Sequence, residues 1–369
     1  MAEISLVVTS HGPGAPVTTV ALAEGGTGVS SIPPASMIEL LSLRDRIVEM
    51  MNGSPRMSSD DLRKFGKLMG RLLFGGDVGA TWNGASNNTD PLITRLLATT
   101  QELKSVPWEY AAWPSGVDGP QRANSVVRLV PQARILPIAP AAKKLGLRIL
   151  LLSASPLTLD AIPWPDIRDS LIRVFRAAMP GIEVVGDDAA PTTKTFLRIV
   201  DAATRQHVQS WIAKDDPHVV HFVGHGTAKG LVLVNGKNSK PSELSAAAFE
   251  GALQAAPSRR LVILSACDTA NHAGVAPVDE TIGTFAEQLV CNAVPAAVAS
   301  QTVIDKATIA AFCDGLYSEL LASGSIDLAV AAGRCKVAFE LDTPSSAAIE
   351  WGIPVLYRRL GAAQLFECE

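Results

Sequence analysis

His-Val-Val-His-Phe-Val-Gly-His-Gly, residues 218 to 226, and Leu-Val-Ile-Leu-Ser-Ala-Cys-Asp, residues 261 to 268, decide the fold. The runs His218 to Val223 and Leu261 to Leu264 are rich in Val, Ile and Leu and carry no Asp, Glu, Lys or Arg. Strands buried on both faces of a parallel sheet read this way. In an open α/β sheet, functional groups collect beyond the carboxyl ends of the strands. Neighbouring strands lie about 4.8 Å apart, so adjacency of these two runs would bring His225 to Cys267. An imidazole that takes or shares the thiol proton makes Cys267 a thiolate nucleophile, and His225 can then protonate a departing amine. Gly226 opens the backbone to a substrate carbonyl, and its N–H, with that of Cys267, suits a tetrahedral oxyanion. The chemistry predicted is acyl transfer.

Outward from these two runs, the chain from Leu147 onward alternates strand and helix. Strands are predicted over Leu147 to Leu152, Ile182 to Val185, the His225 run, the Cys267 run, Val294 to Ala299 and Ile353 to Tyr357. Helices are predicted over Trp164 to Met179, Lys194 to Trp211, Ser242 to Ala255 and Thr281 to Cys291, with two more before the last strand. A hairpin through Leu231 to Val234 turns at Asn235-Gly236. The expectation is an α/β three-layer sandwich with a mainly parallel six-stranded sheet over residues 145–369. Residues 1–140 read as a mixed α+β region. It opens with Ile4 to Val8 and Val17 to Leu22 as a strand pair, followed by helices over Met37 to Met51 and Leu62 to Phe74. The glycine-rich residues 75 to 90 read as a surface loop, and Val126 to Val130 as a further strand.

Composition narrows the function. The 369 residues are 47% hydrophobic, enough for sizeable cores. The net charge of −4 and the lack of a basic run interleaved with aromatics argue against nucleic acid as a direct ligand. The start has no basic segment before an apolar core, and nowhere do about 18 apolar residues run uninterrupted. These features predict a cytoplasmic protein with no membrane partner. Five cysteines, at 267, 291, 313, 335 and 368, are spaced for neither a zinc ribbon nor a disulfide framework. Cys291, Cys313 and Cys335 fall in apolar helical patterns, where a thiol is packing, and Cys368 has no activating base near it.

The two motifs, together with Val-Pro-Trp-Glu at 106 to 109, Leu-Arg-Ile-Leu-Leu-Leu-Ser-Ala-Ser-Pro at 147 to 156, Val-Pro-Ala-Ala-Val-Ala-Ser-Gln at 294 to 301 and the closing Trp351 to Tyr357, resemble the CHAT proteases. These are bacterial relatives of caspases and separase with the caspase-hemoglobinase fold. The resemblance covers roughly residues 60 to 369. It implies a cysteine endopeptidase that needs no cofactor, with His225 and Cys267 as the dyad and Gly226 in the oxyanion hole. Gln301 to Lys306 is similar to the segment whose acidic residue, here Asp305, lies in the pocket for the residue before the cut. A carboxylate there would pair with Arg, and less geometrically with Lys. Capping Ala307 and its neighbours is the structural alternative for Asp305. Asp268, beside the nucleophile, contacts substrate or orients a loop. Residues 268 to 305 contain no Lys or Arg, so an enzyme with this preference does not cut its own loop. The family's association is with bacterial defence and programmed cell death. This chain lacks the fused sensing modules of many members, and its first 60 residues match nothing recognised, which suggests a separate activator protein beside the protein substrate.

Other readings compete with this one. His221 and His225 stand four apart and invite a metal site with Asp268, yet strand alternation sends His221 toward a packing helix and no third ligand has zinc spacing. No metal is expected. His11, His207 and His218 have no motif around them, while His272 is close to Cys267 in sequence. A catalytically silent caspase-like binding module keeps the fold without turnover. A nucleotide-binding domain lacks its glycine-rich helix entry and phosphate lysine.

Overall fold

The computed structural model describes residues 2–10, 16–23, 26–51, 59–86, 92–113, 124–131, 142–143, 146–159, 162, 164–227, 230–235, 240–266, 284–301, 306–340 and 350–367. In chain order the first part contributes β1 (Ala2–Ser10), β2 (Val17–Ala23), β3 (Gly26–Ile32), α1 (Pro34–Met51), α2 (Ser59–Phe74), α3 (Gly76–Ser86), β4 (Leu92–Ala98), α4 (Gln101–Lys104), a 3-10 turn (Trp108–Tyr110), β5 (Asn124–Leu129) and β6 (Ala142–Lys143). Then come β7 (Arg148–Ala154), α5 (Trp164–Ala178), β8 (Glu183–Val185), β9 (Phe196–Val200), α6 (Arg205–Asp215), β10 (Val219–Thr227), β11 (Gly230–Asn235), β12 (Lys240–Ser245), α7 (Ala246–Gln254) and β13 (Leu261–Ser265). The last part is α8 (Phe285–Asn292), β14 (Ala296–Ser300), α9 (Lys306–Ser323), α10 (Ile326–Glu340), β15 (Pro354–Arg358) and β16 (Phe366–Glu367).

The α/β class holds, with a sheet wider than the six expected strands. Among the described residues it is 14-stranded, in the order β3-β2-β1-β4-β5-β15-β14-β13-β10-β7-β9-β8, with β11 and β12 continuing from β10. From β14 to β8 the strands along this path are parallel, and β1, β4, β5 and β15 are parallel to one another. The two blocks meet where β15 runs antiparallel to β14. One apolar cluster joins the sheet to α2, α3, α5, α9 and α10, and a second joins it to α6, α7 and α8. Alternation along β10 explains the division: Val219 and Val223 enter the first cluster, Val220 and Phe222 the second. In α5, Trp164, Ile167, Leu171 and Phe175 recur at helical spacing and are buried. Each such side chain contributes about 1.5–3 kcal/mol relative to exposure.

Several elements differ from expectation for identifiable reasons. Residues 76–86 form a helix instead of a loop. Gly79 serves close packing, since a Cβ there would lie 2.4 Å from the Phe74 carbonyl oxygen, and Gly28 of β3 lets the helix approach, since a Cβ there would lie 2.4 Å from the Asp77 carbonyl oxygen. Val78 and Trp82, four apart, bury the helix's apolar side. The Gly/Ser stretch before α1 contains β3, paired along its length with β2. Phe-Leu-Arg-Ile-Val at 196–200 is a strand beside β7 rather than part of a helix. The helix begins only after Thr204, whose Oγ1 accepts from the backbone N–H of His207 at 3.2 Å. Likewise Ser245 caps α7, and residues 240–245 pair with β11.

Charged groups inside the sheet bind distant segments. Arg358 of β15 and Asp327 of α10 are both fully buried and form a bidentate pair, with both N···O distances 2.7 Å. Asp327→Ala leaves the guanidinium buried without its carboxylate. A loss of about 3–5 kcal/mol is expected, read as a lower urea midpoint, and pairing it with Arg358→Met restores much of that loss.

Candidate active site

The His225 and Cys267 strands are neighbours. β10 and β13 are parallel, in register from Val219 beside Leu261 to Val223 beside Ser265. On its other edge β10 pairs in parallel with β7, up to Gly224 beside Ala154. Gly224 makes that approach possible, because a Cβ there would lie 2.4 Å from the Phe222 ring and 3.0 Å from the Ala154 carbonyl oxygen. His225 is the first residue past both parallel pairings. It is half-buried, where β10 leaves the sheet to pair antiparallel with β11, His225 beside Val232 and Gly226 beside Leu231. Cys267, two residues past Ser265 in sequence as His225 is two past Val223, lies outside the described residues, as do Asp268, His272 and Asp305.

Beneath the strand ends a neutral hydrogen-bonded chain joins β10, β13 and α9. His221 Nε2 lies 2.9 Å from Ser265 Oγ, and His221 Nδ1 lies 3.0 Å from Tyr317 Oη. All three side chains are buried. Burial pushes the His221 imidazole down to about 3, so at neutral pH it carries one donor and one acceptor nitrogen for its two hydroxyl partners. The alternation argument that sent His221 to a packing helix is met by Tyr317. Among the described residues no cluster of three metal-ligating side chains occurs. The Ser153 hydroxyl of β7, on a strand neighbouring Val223, is buried and has no hydrogen-bond partner among the described residues.

The remaining described cysteines are poorly suited to attack. Cys313 is buried, and burial pushes its thiol up to about 12, against a hydrogen bond with Ser265 that lowers it. Cys291 is raised by burial first and by Glu287 second. Cys291 and Cys335 are half-buried rather than fully enclosed.

The Pro-Trp-Glu segment supplies a feature that sequence reasoning passed over. Trp108 is fully buried and its indole N–H donates to the Leu103 carbonyl oxygen at 2.7 Å. Glu109 is 2% exposed and receives Arg128 Nε at 3.0 Å and Nη2 at 2.7 Å, with Arg334 Nη2 at 3.9 Å. Burial would raise this carboxyl, but the Arg128 pairing outweighs it and holds the group below its usual value. Gln301 Nε2 donates to Glu109 Oε2 at 3.4 Å and to the Gly352 carbonyl oxygen at 2.7 Å. Glu109 therefore fixes the residue that follows β14, four positions before Asp305. The available signal was Arg128, an isolated cation inside the apolar run Val126 to Val130.

The sequence matches the CHAT domain family over residues 83–358, well over half of the chain. No curated protein sequence matches it. Among solved structures, the Saccharomyces cerevisiae separase in its complex with securin has 10% identity and a TM-score of 0.56, over 97% of this chain and 30% of that chain. A structure described as a protease has 13% identity and a TM-score of 0.50, covering 89% of this chain and 76% of that one. The Arg-specific cysteine proteinase gingipain R has 11% identity and a TM-score of 0.48, over 86% and 70%. Similarity at these identities is one of fold. Among the described residues, no helix is long and apolar enough to cross a membrane.

The buried imidazoles carry a pH signature. His218 is pushed down to about 4 by burial first, then by Arg148 and Arg260, and His221 to about 3 by burial. Both ordinarily titrate near 6.5. The unfolded chain therefore binds more protons than the folded one between these values, and stability rises with pH across that window. The urea midpoint should be flat above about pH 6.5 and fall as pH drops toward 4. His221→Gln should make that fall shallower, whatever its effect at pH 7.

Proposed function

The chain belongs to the CHAT-domain family of caspase-like cysteine endopeptidases, and from that premise we propose that it hydrolyses protein substrates through a Cys267–His225 dyad, cutting after Arg or Lys. The observation that carries this reading is the parallel register ending at Val223 beside Ser265, with each dyad residue two positions beyond that pair in sequence. The thiolate of Cys267 attacks the scissile carbonyl carbon, and the oxyanion is held by the N–H groups of Gly226 and Cys267. His225 protonates the departing amine as the C–N bond breaks, leaving a thioester. His225 then takes a proton from water, whose oxygen displaces the sulfur and releases the acid product.

Asp305 is assigned to the pocket that receives the basic side chain, and Asp268 to the substrate-facing side of the nucleophile. Gln301, anchored to Glu109, supports the first assignment by fixing the start of the Asp305 segment. The substrate is a protein, and a separate activator protein acts on the chain. The setting proposed is a cytoplasmic pathway of bacterial defence or programmed cell death.

Cys267→Ala should keep the thermal midpoint and lose cleavage of an arginyl peptide by about a thousandfold or more. A variant as active as the native chain rejects the nucleophile. No cleavage by either protein returns the chain to a catalytically silent binding module. Asp305→Asn should lower kcat/KM for arginyl peptides about tenfold or more at an unchanged thermal midpoint. A lower midpoint with unchanged preference makes Asp305 a helix cap.

A further inference from the structure

A cavity of about 730 Å3 opens along α2, away from the strand ends. Four cationic side chains, Arg63, Lys64, Lys67 and Arg71, line it together with Phe74 and Trp113, and no carboxylate among the described residues does. The volume lies within the range of ligand pockets, about 300–1,000 Å3. Arg63, Lys67 and Arg71 repeat every four residues, so they stack on one side of the helix. Like charges at that spacing destabilise a helix. Lys64 pairs with Glu39 at 3.2 Å where both are largely exposed, whereas Lys67 and Arg71 have no ion-pair partner among the described residues. A chain with 36 acidic and 32 basic residues thus gathers four cations around one hollow.

The backbone around the cavity is closely packed. Gly66 and Gly70 let residues 110–112 lie directly on α2: a Cβ on Gly70 would sit 2.5 Å from the Ala112 carbonyl oxygen, and one on Gly66 2.7 Å from that of Tyr110. The Ala112 N–H donates to the Gly66 carbonyl oxygen at 2.9 Å. Trp113 stacks on Trp82 at 6.0 Å and tilts against Phe74 at 5.6 Å. This packing fixes the helix face that carries the cations beside Ala112 and Trp113.

We propose that this groove is an effector site for a polyphosphate anion, free or carried by a nucleotide. Guanidinium and ammonium groups in a row suit a ligand with several phosphate charges, and the hollow's volume suits a small molecule. Occupancy reaches the candidate active site through the segment that forms the groove floor. Ala112 follows Glu109 by three residues, Tyr110 packs edge-on against Trp351 at 5.0 Å, and Glu109 holds Gln301. The binding claim stands on the groove alone; an effect on cleavage rests also on the peptidase reading.

The test is calorimetric titration of the full chain with inorganic triphosphate, with ATP and with a poly-glutamate peptide, beside a Lys67→Ala/Arg71→Ala double variant. The expected result is saturable one-site triphosphate binding in the micromolar range, weakened about tenfold or more in the variant. Triphosphate should also raise the thermal midpoint of the native chain alone and change its cleavage rate on an arginyl peptide. Equal affinity for ATP identifies the phosphates as the whole ligand, and tighter ATP binding identifies a nucleotide source. Absence of saturation by either up to about 5 mM, undiminished binding by a variant that keeps the native thermal midpoint, or saturation by poly-glutamate alone overturns the site. Binding with unchanged cleavage overturns the effector role, and a chain that binds but never cleaves rejects the peptidase reading instead.

Discussion

Parallel pairing of β10 with β13 is the constraint on which the candidate site depends. A parallel pair has no tight turn between its strands, so residues about forty apart in sequence share one register only through a complete crossover. Here the crossover includes a hairpin extension, β11 and β12, and the helix α7. A slip of one residue would turn every side chain of a strand to the opposite face. On β10 that slip would take His221 off Ser265 and Tyr317 and set Phe222 among them. The neutral imidazole between two hydroxyls is satisfied in one register, and that register gives His225 and Cys267 equal offsets from the last described pair.

Buried ions repeat this specificity elsewhere in the sheet. Arg358 with Asp327, Arg198 with Asp215, and Arg128 with Glu109 each tie a strand to a helix or turn, and Arg334 of α10 reaches the same Glu109. Such pairs offer little net stability over apolar residues of similar volume, because both charges must be desolvated. Their effect here is positional. Arg198 illustrates it: the guanidinium reaches Asp215 at the end of α6 and lies 3.6 Å over the Trp211 ring, fixing that helix's rotation on β9.

Strand runs without charge, such as Leu147 to Leu152 and Leu261 to Leu264, were legible because both faces of the central sheet are covered. The adjacency of β10 and β13 followed from the fold class and from the motifs. Glycine was the misleading signal. In residues 76–86 it permits helix and strand backbones to touch, a tertiary purpose with no local trace, and the segment read as a loop. Phe196 to Val200 was absorbed into the following helix because its apolar residues extend that helix's pattern, and only Thr204 marks the boundary. At the candidate site, His221 was placed correctly by alternation alone. The role of Glu109 has no local signature, because its partners lie at 128, 301 and 334 and no short-range pattern connects them. The residues that carry the proposed chemistry beyond His225 and Gly226 rest on motif and spacing.

The sheet order has a consequence for biosynthesis. Among the described strands of this sheet β15, residues 354–358, is the last to be made, yet it sits between the block formed by β1 to β5 and the parallel block that begins at β14. Until it arrives, β5 and β14 each present an open row of amide and carbonyl groups, and neither Arg358 nor the backbone that receives Arg334 is there to close the seam. The nascent polypeptide thus travels as two unfinished half-sheets, a state vulnerable to self-association. Synthesis interrupted before this strand would yield two separate halves instead of a slightly shortened protein.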